Sequence, residues 1–174
     1  LGSPFREGMD FWWIDGWIKP PLKGTDSQLW ANHHYFDLTE KETGQRGLVL
    51  SRWGGIGSHR FPVQFSGDTY STWETLRRQI EMTSRSGNLG AAYWSHDIGG
   101  FFDKRIDDEI FIRWVQFGSL SPVFRTHSCG GDREPWNYSK TARRVFRKQS
   151  RIRAALAPYF YSLARQAHSI PGTA

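Results

Sequence analysis

Five short apolar runs, each rich in aromatic or β-branched residues, recur along the chain with helical patterns between most of them. This recurrence restricts the fold more than any other feature. The runs are "DFWWID" (10–15), "GLVLSR" (47–52), "RFPVQFS" (60–66), "LGAAYWS" (89–95) and "SPVFRT" (121–126). Their length and composition predict strands. Of the intervening stretches, "STWETLRRQIEMTSRSG" has Ser71 and Glu74 at capping-box spacing and Gly87 as a stop. Another, "DDEIFIRWVQFG", opens on acidic residues and closes on Gly118, again the marks of a helix. Strands alternating with helices predict βα units around a parallel sheet, an α/β architecture.

The polar residues fall into register with that pattern. Asp15 sits in "FWWIDGW", among apolar side chains. An ionised carboxylate buried there must be matched by donors, face a cavity or hold a proton. Asp15, Arg52, Asp68, Asp97 and His127 each fall at, or within about two residues of, the carboxyl end of a predicted strand, where (β/α) barrels place their catalytic groups. Singly, each reads as an ion pair or a loop cap. Together they predict one polar mouth. Two carboxylates at separate strand ends, with Arg and His nearby and no Ser–His or Cys–His pair that stands out, suit glycosidic bond cleavage, in which one carboxylate attacks and the other donates a proton. Gly67 in "FSGDT" gives the backbone freedom to aim Asp68, and Asp97 in "SHDIGGFF" precedes a Gly pair that permits close ligand approach.

Composition bounds the alternatives. The 174 residues suit one domain, and nine Trp, six Tyr and twelve Phe supply both core and flat faces on which sugars stack. The net charge of +6 gathers in "TARRVFRKQSRIRAALAPYFYSLARQAH", where Val145, Ile152, Leu156, Phe160 and Leu163 form one helical stripe and the arginines lie elsewhere. A solvated helix face accounts for that excess better than a nucleic-acid partner. Cys129 is the only cysteine, so neither a disulfide framework nor a Cys-based zinc cluster is available. Adjacent His33 and His34 would point to different faces of a helix, a poor metal site. "GGIGSHR" lacks the third Gly and the Lys-Ser/Thr of phosphate loops. No signal peptide opens the chain, and no apolar run approaches a membrane-spanning length. The chain starts "LGSPFREGMD", without an initiator Met and almost at once with a strand, so a segment of a longer protein is expected.

The segments "WWIDGW", "SRWGGIGSHRFPVQFSGDTYSTWETL", "SHDIGGF", "RWVQFGSLSPVFRTHS" and "REPW" together closely resemble glycoside hydrolase family 31, the retaining α-glucosidase and α-xylosidase group, in order and spacing over nearly the whole chain. The resemblance implies a partial (β/α)8 TIM barrel, about the last five βα units. Residues 1–174 would be the C-terminal part of the catalytic domain, without the first strands or the flanking β domains. It matches Asp15 to the nucleophile and Asp68 to the general acid/base. Arg52, Asp97 and His127 match residues that hold sugar hydroxyls, with Arg125 and Phe65 lining the same pocket. Two departures bear on substrate choice: "DGW" follows the nucleophile where many members have Met-Asn-Glu, and Phe65 precedes Ser-Gly-Asp where Trp is frequent.

On this reading the expected activity is retaining exo-α-glycosidase action on an oligosaccharide or α-glycoside by double displacement, with no metal or organic cofactor. Neither nucleic acid nor membrane is an expected partner. The rest of the parent chain would be needed to complete the barrel, so the isolated segment is expected to be inactive. A transglycosylase or lyase of the same family and a noncatalytic carbohydrate-binding relative remain the alternatives.

Overall fold

The computed structural model describes residues 3–16, 23–61 and 63–169. Trp17, Pro62 and the closing 170–174 of the sequence-predicted features lie outside them. The chain divides into two compact units, Leu1–Phe65 and Ser66–Ala174.

In the first unit three parallel strands lie side by side in chain order: β1 (Trp12–Ile14), β2 (Val49–Arg52) and β3 (Val63–Phe65). Ile14 pairs with Ser51, and Arg52 with Phe65. The helix α1 (Ser27–Thr43) links β1 to β2. Its first turn is capped by Asp26, whose carboxylate accepts from the Leu29 N–H at 2.8 Å. Gly44 ends it at φ +66°, a left-handed value that costs a residue with a Cβ far more. Ile14, Ala31 and Val49 form the core, with Trp12, Trp30, Tyr35 and Phe36 packed against it. His34 stacks on Trp30 (5.4 Å) and His33 faces Asp37 (3.5 Å). The link from β2 to β3 has only a 3-10 turn at Ser58–Arg60.

The second unit holds α2 (Trp73–Asn88), β4 (Tyr93–Ser95), α3 (Asp108–Gly118), α4 (Lys140–Ala155) and α5 (Ala157–Ser169). Its core is Leu76, Ile98, Ile106, Ile110, Phe111, Trp114, Val115, Tyr138 and Ala142. Phe111 and Tyr138 stack at 3.8 Å. Each fully buried large side chain contributes about 1.5–3 kcal/mol of transfer free energy, so α3, with Phe111, Trp114 and Val115 on one face, is the main source of cohesion.

The structure departs from the sequence expectations at four places. The fifth predicted strand, 121–126, is not a strand: among its residues only Thr126 makes a bridge, a parallel one with Ile98. Pro122 has no N–H to offer a ladder, and the carbonyls of Ser121 and Pro122 accept instead from Arg153 (2.6 and 2.8 Å). Arg153 is thus half-buried against backbone and the Phe160 ring (4.8 Å), not on a solvated face, and burial lowers its pKa. α2 is capped by Thr72 rather than Ser71, and it runs past Gly87 to Asn88. The C-terminal stripe breaks at Leu156 into α4 and α5, leaving Ile152 and Leu163 exposed.

Candidate active site

In the first unit the parallel register sets Asp15, one residue beyond β1, beside Arg52 at the end of β2. Arg52 Nε donates to Asp15 Oδ1 at 2.7 Å, and the Gly16 N–H donates to the same oxygen at 2.8 Å. A Cβ at position 16 would stand 3.0 Å from Arg52 Cδ, so glycine leaves room for the arginine stem. The Asp15 side chain is 55% exposed and Arg52 only 23%, which makes the carboxylate the outermost group of the pair. A cation in this contact favours the ionised carboxylate. Phe65, 1% exposed, lies beneath: its ring carries the Arg52 guanidinium at 5.3 Å and meets Trp13 edge-on at 6.1 Å. Gln28, at the start of α1, donates to Ser51 Oγ (2.7 Å) and Ile14 O (3.3 Å), tying the tips of β1 and β2 to the helix.

In the second unit Asp68 lies three residues past β3, after Gly67 at φ +79°. The next residue, Thr69, accepts through its carbonyl from the N–H groups of Phe101 (2.8 Å) and Phe102 (3.2 Å), so the Asp68 loop is joined to the loop after β4. Asp97 lies two residues past β4 and is fully buried. Its Oδ1 pairs with Arg125 Nη2 in a short contact. His127 follows the Thr126 bridge, with its ring 5.3 Å from Phe101. The Cys129 N–H donates to Phe101 O at 3.1 Å, which joins this loop to the other two.

Beneath Asp97 sits His96, with no exposed surface, stacked on Phe117 at 4.9 Å and with Nε2 3.4 Å from Ser121 Oγ. Burial, and then the positive charge of Arg125, lowers its pKa to about 3, so the ring is neutral. Gln28 ties β1 and β2 to α1, and His96 fills the interior against Phe117, yet composition and spacing single out neither: each reads as one polar residue within an apolar segment.

The seven residues expected at the site therefore fall into two groups. In the first unit Arg52 contacts both Asp15 and Phe65. Asp97 and Arg125 pair in the second, with Asp68 and His127 on loops hydrogen-bonded to the loop after β4. Among the described residues no group of three or more His, Cys, Asp or Glu could hold a metal ion, and no helix is long and apolar enough to cross a membrane.

Comparison with known proteins gives the family. The model of the glycosyl hydrolases family 31 TIM-barrel domain matches residues 3–163. An α-xylosidase of Saccharolobus solfataricus is 31% identical over 94% of this chain and 26% of its own length. Alpha-glucosidase 2 of Bacillus thermoamyloliquefaciens is 35% identical over 77% and 17%. Among solved structures, the cycloalternan-degrading enzyme from Trueperella pyogenes superposes with a TM-score of 0.74 at 28% identity, over 81% of this chain and 22% of that one. A glucosidase II alpha subunit bound to alpha3-Glc2 reaches 0.76 at 28%, over 82% and 16%. The chain thus spans about a quarter or less of the relatives it matches. Its parallel strands and helices are part of an α/β TIM barrel, and the chain belongs to glycosyl hydrolase family 31.

Proposed function

We propose that these residues are the C-terminal part of the catalytic barrel of a retaining exo-α-glycosidase that acts on terminal α-linked sugars, and that the rest of the parent chain completes the barrel. The observation that carries the reading is the Asp15–Arg52 pair: a carboxylate at a strand end, exposed on one side and held by a cation and a backbone N–H on the other. Such a carboxylate is oriented, ionised and reachable, which is what attack on an anomeric carbon requires. Asp15 attacks while Asp68 protonates the departing oxygen, and Asp68 then deprotonates the water that releases the sugar. Arg52, Asp97 and His127 hold hydroxyls of the bound sugar, and Arg125 and Phe65 line the same pocket. The relatives named α-xylosidase and α-glucosidase support the substrate class.

The test is chemical rescue in the natural-length protein. Asp15→Ala should abolish turnover of an aryl α-glycoside, and added azide should restore it with a β-glycosyl azide as product. Recovery of an α-configured product, or an active Asp15→Ala enzyme without azide, contradicts the assignment.

A further inference from the structure

Arg133 is 3% exposed, although it lies in a loop near the surface of the second unit. Its guanidinium faces backbone from two other loops. Nη1 donates to Lys104 O (3.0 Å) and to Asp132 O (3.4 Å); Nη2 donates to Gly100 O (3.2 Å), to Ser71 Oγ (3.4 Å) and, in a short contact, to Asp103 O. Ser71 is three residues past Asp68, Gly100 three past Asp97, and Arg133 six past His127. One side chain therefore binds the three loops that carry Asp68, Asp97 and His127. The Ser71 N–H reinforces the link by donating to the Asp103 carboxylate at 2.6 Å.

The surrounding glycines fit a guanidinium in this place. Gly99 has φ +97°, and a Cβ there would stand 2.7 Å from Arg133 Cδ. Gly100, at φ +78°, leaves no room for a Cβ against Ser71. The loop after β4 approaches the arginine as closely as backbone can. A planar fork spreads several N–H donors in fixed directions toward carbonyls of separate loops, whereas an ammonium offers three donors from a single point.

We propose that Arg133 is a positioning residue: it holds the loops of Asp68, Asp97 and His127 in one arrangement, and through Ser71 it sets the aim of Asp68. This rests on the assignment of Asp68 as acid/base. Arg133 itself touches no reacting atom. Its loss loosens three loops together and impairs protonation of the leaving group before it impairs attack on the sugar.

Two readouts in the natural-length protein test this, using Arg133→Lys with Asp68→Ala as reference. By hydrogen exchange, peptides covering 66–72, 97–105 and 127–132 should all exchange at least about 10-fold faster in Arg133→Lys, with α3 unchanged. On aryl α-glycosides, kcat/KM should fall at least about 30-fold for poor leaving groups but only a few-fold for good ones, the pattern of Asp68→Ala in milder form. Loosening confined to 127–132, or an equal fall for all leaving groups, overturns the proposal. If Arg133→Lys does not fold, Ser71→Ala replaces it: faster exchange at both 66–72 and 97–105 supports the proposal, and no change overturns it. An Asp68→Ala enzyme without leaving-group discrimination refutes the acid/base reading alone, because loop exchange is measured independently of activity.

Discussion

Arg52 Nε lies 2.7 Å from Asp15 Oδ1, across neighbouring parallel strands whose register continues directly from the Ile14–Ser51 pair. A register shift of one residue would turn one of the two side chains to the opposite face of the sheet, so the backbone pairing itself sets the contact. Arg52→Met should lower kcat by about 100-fold or more by removing a cation that stabilises and orients the carboxylate proposed to attack, a loss of roughly 3 kcal/mol. Arg52→Lys should recover only part of it, because a lysine cannot both lie flat on Phe65 and reach Asp15 through a fixed donor. Steady-state kinetics of both variants in the natural-length protein check this.

The buried Asp97–Arg125 pair makes a different prediction. Asp97 has no exposed surface, so Asp97→Ala leaves the guanidinium in a half-buried place without this carboxylate. Breaking a buried pair from one side costs about 3–5 kcal/mol, and partial exposure of Arg125 places the expected loss at the lower end. Urea unfolding should show the loss, and the KM for substrate should rise as well.

His96 makes stability depend on pH. The ring, ordinarily near 6.5, is held at about 3 in the fold, first by burial and second by Arg125. Below pH 6.5 the unfolded chain takes up a proton that the folded chain refuses, so this contribution to stability is full above pH 6.5 and shrinks as the pH falls toward about 3. Between pH 7 and 4 the loss from this group is roughly 3 kcal/mol. His96→Phe, which cannot be charged and retains a ring against Phe117, should flatten the acid limb of the stability curve relative to wild type. Parallel curves for the two proteins would contradict the assignment of that limb to His96.

How far the sequence reveals the structure differs by element. Four strands are found inside the predicted aromatic and β-branched runs, because strand interiors select such side chains irrespective of distant partners. The 121–126 segment has the same composition and yet forms one bridge, and Arg153, some thirty residues on, takes the carbonyls of Ser121 and Pro122. Local pattern carries no information about a competitor that remote. The placement of Asp15, Arg52 and Asp97 at or just past strand ends followed from strand position alone, whereas His127 follows a single bridge and not a strand. The supporting roles of Gln28, His96 and Arg133 did not follow from strand position, since each is defined by carbonyls and rings brought to it from elsewhere. The exposed Ile152 and Leu163 show the converse: helical spacing identifies an apolar face but not whether anything in the described residues covers it.

On the proposed mechanism Asp15 forms a covalent bond to the sugar. Incubating the natural-length protein with a slow, activated fluoro-glycosyl fluoride of α configuration, followed by proteolysis and mass analysis, reads that bond directly, because the fluorine substituent slows release of the intermediate more than its formation. One glycosyl unit should be found on the peptide containing "FWWIDGW", localised by fragmentation to Asp15, and Asp15→Asn should take up none. A label on Asp68, or full turnover of the reagent with no labelled peptide, would contradict Asp15 as the nucleophile.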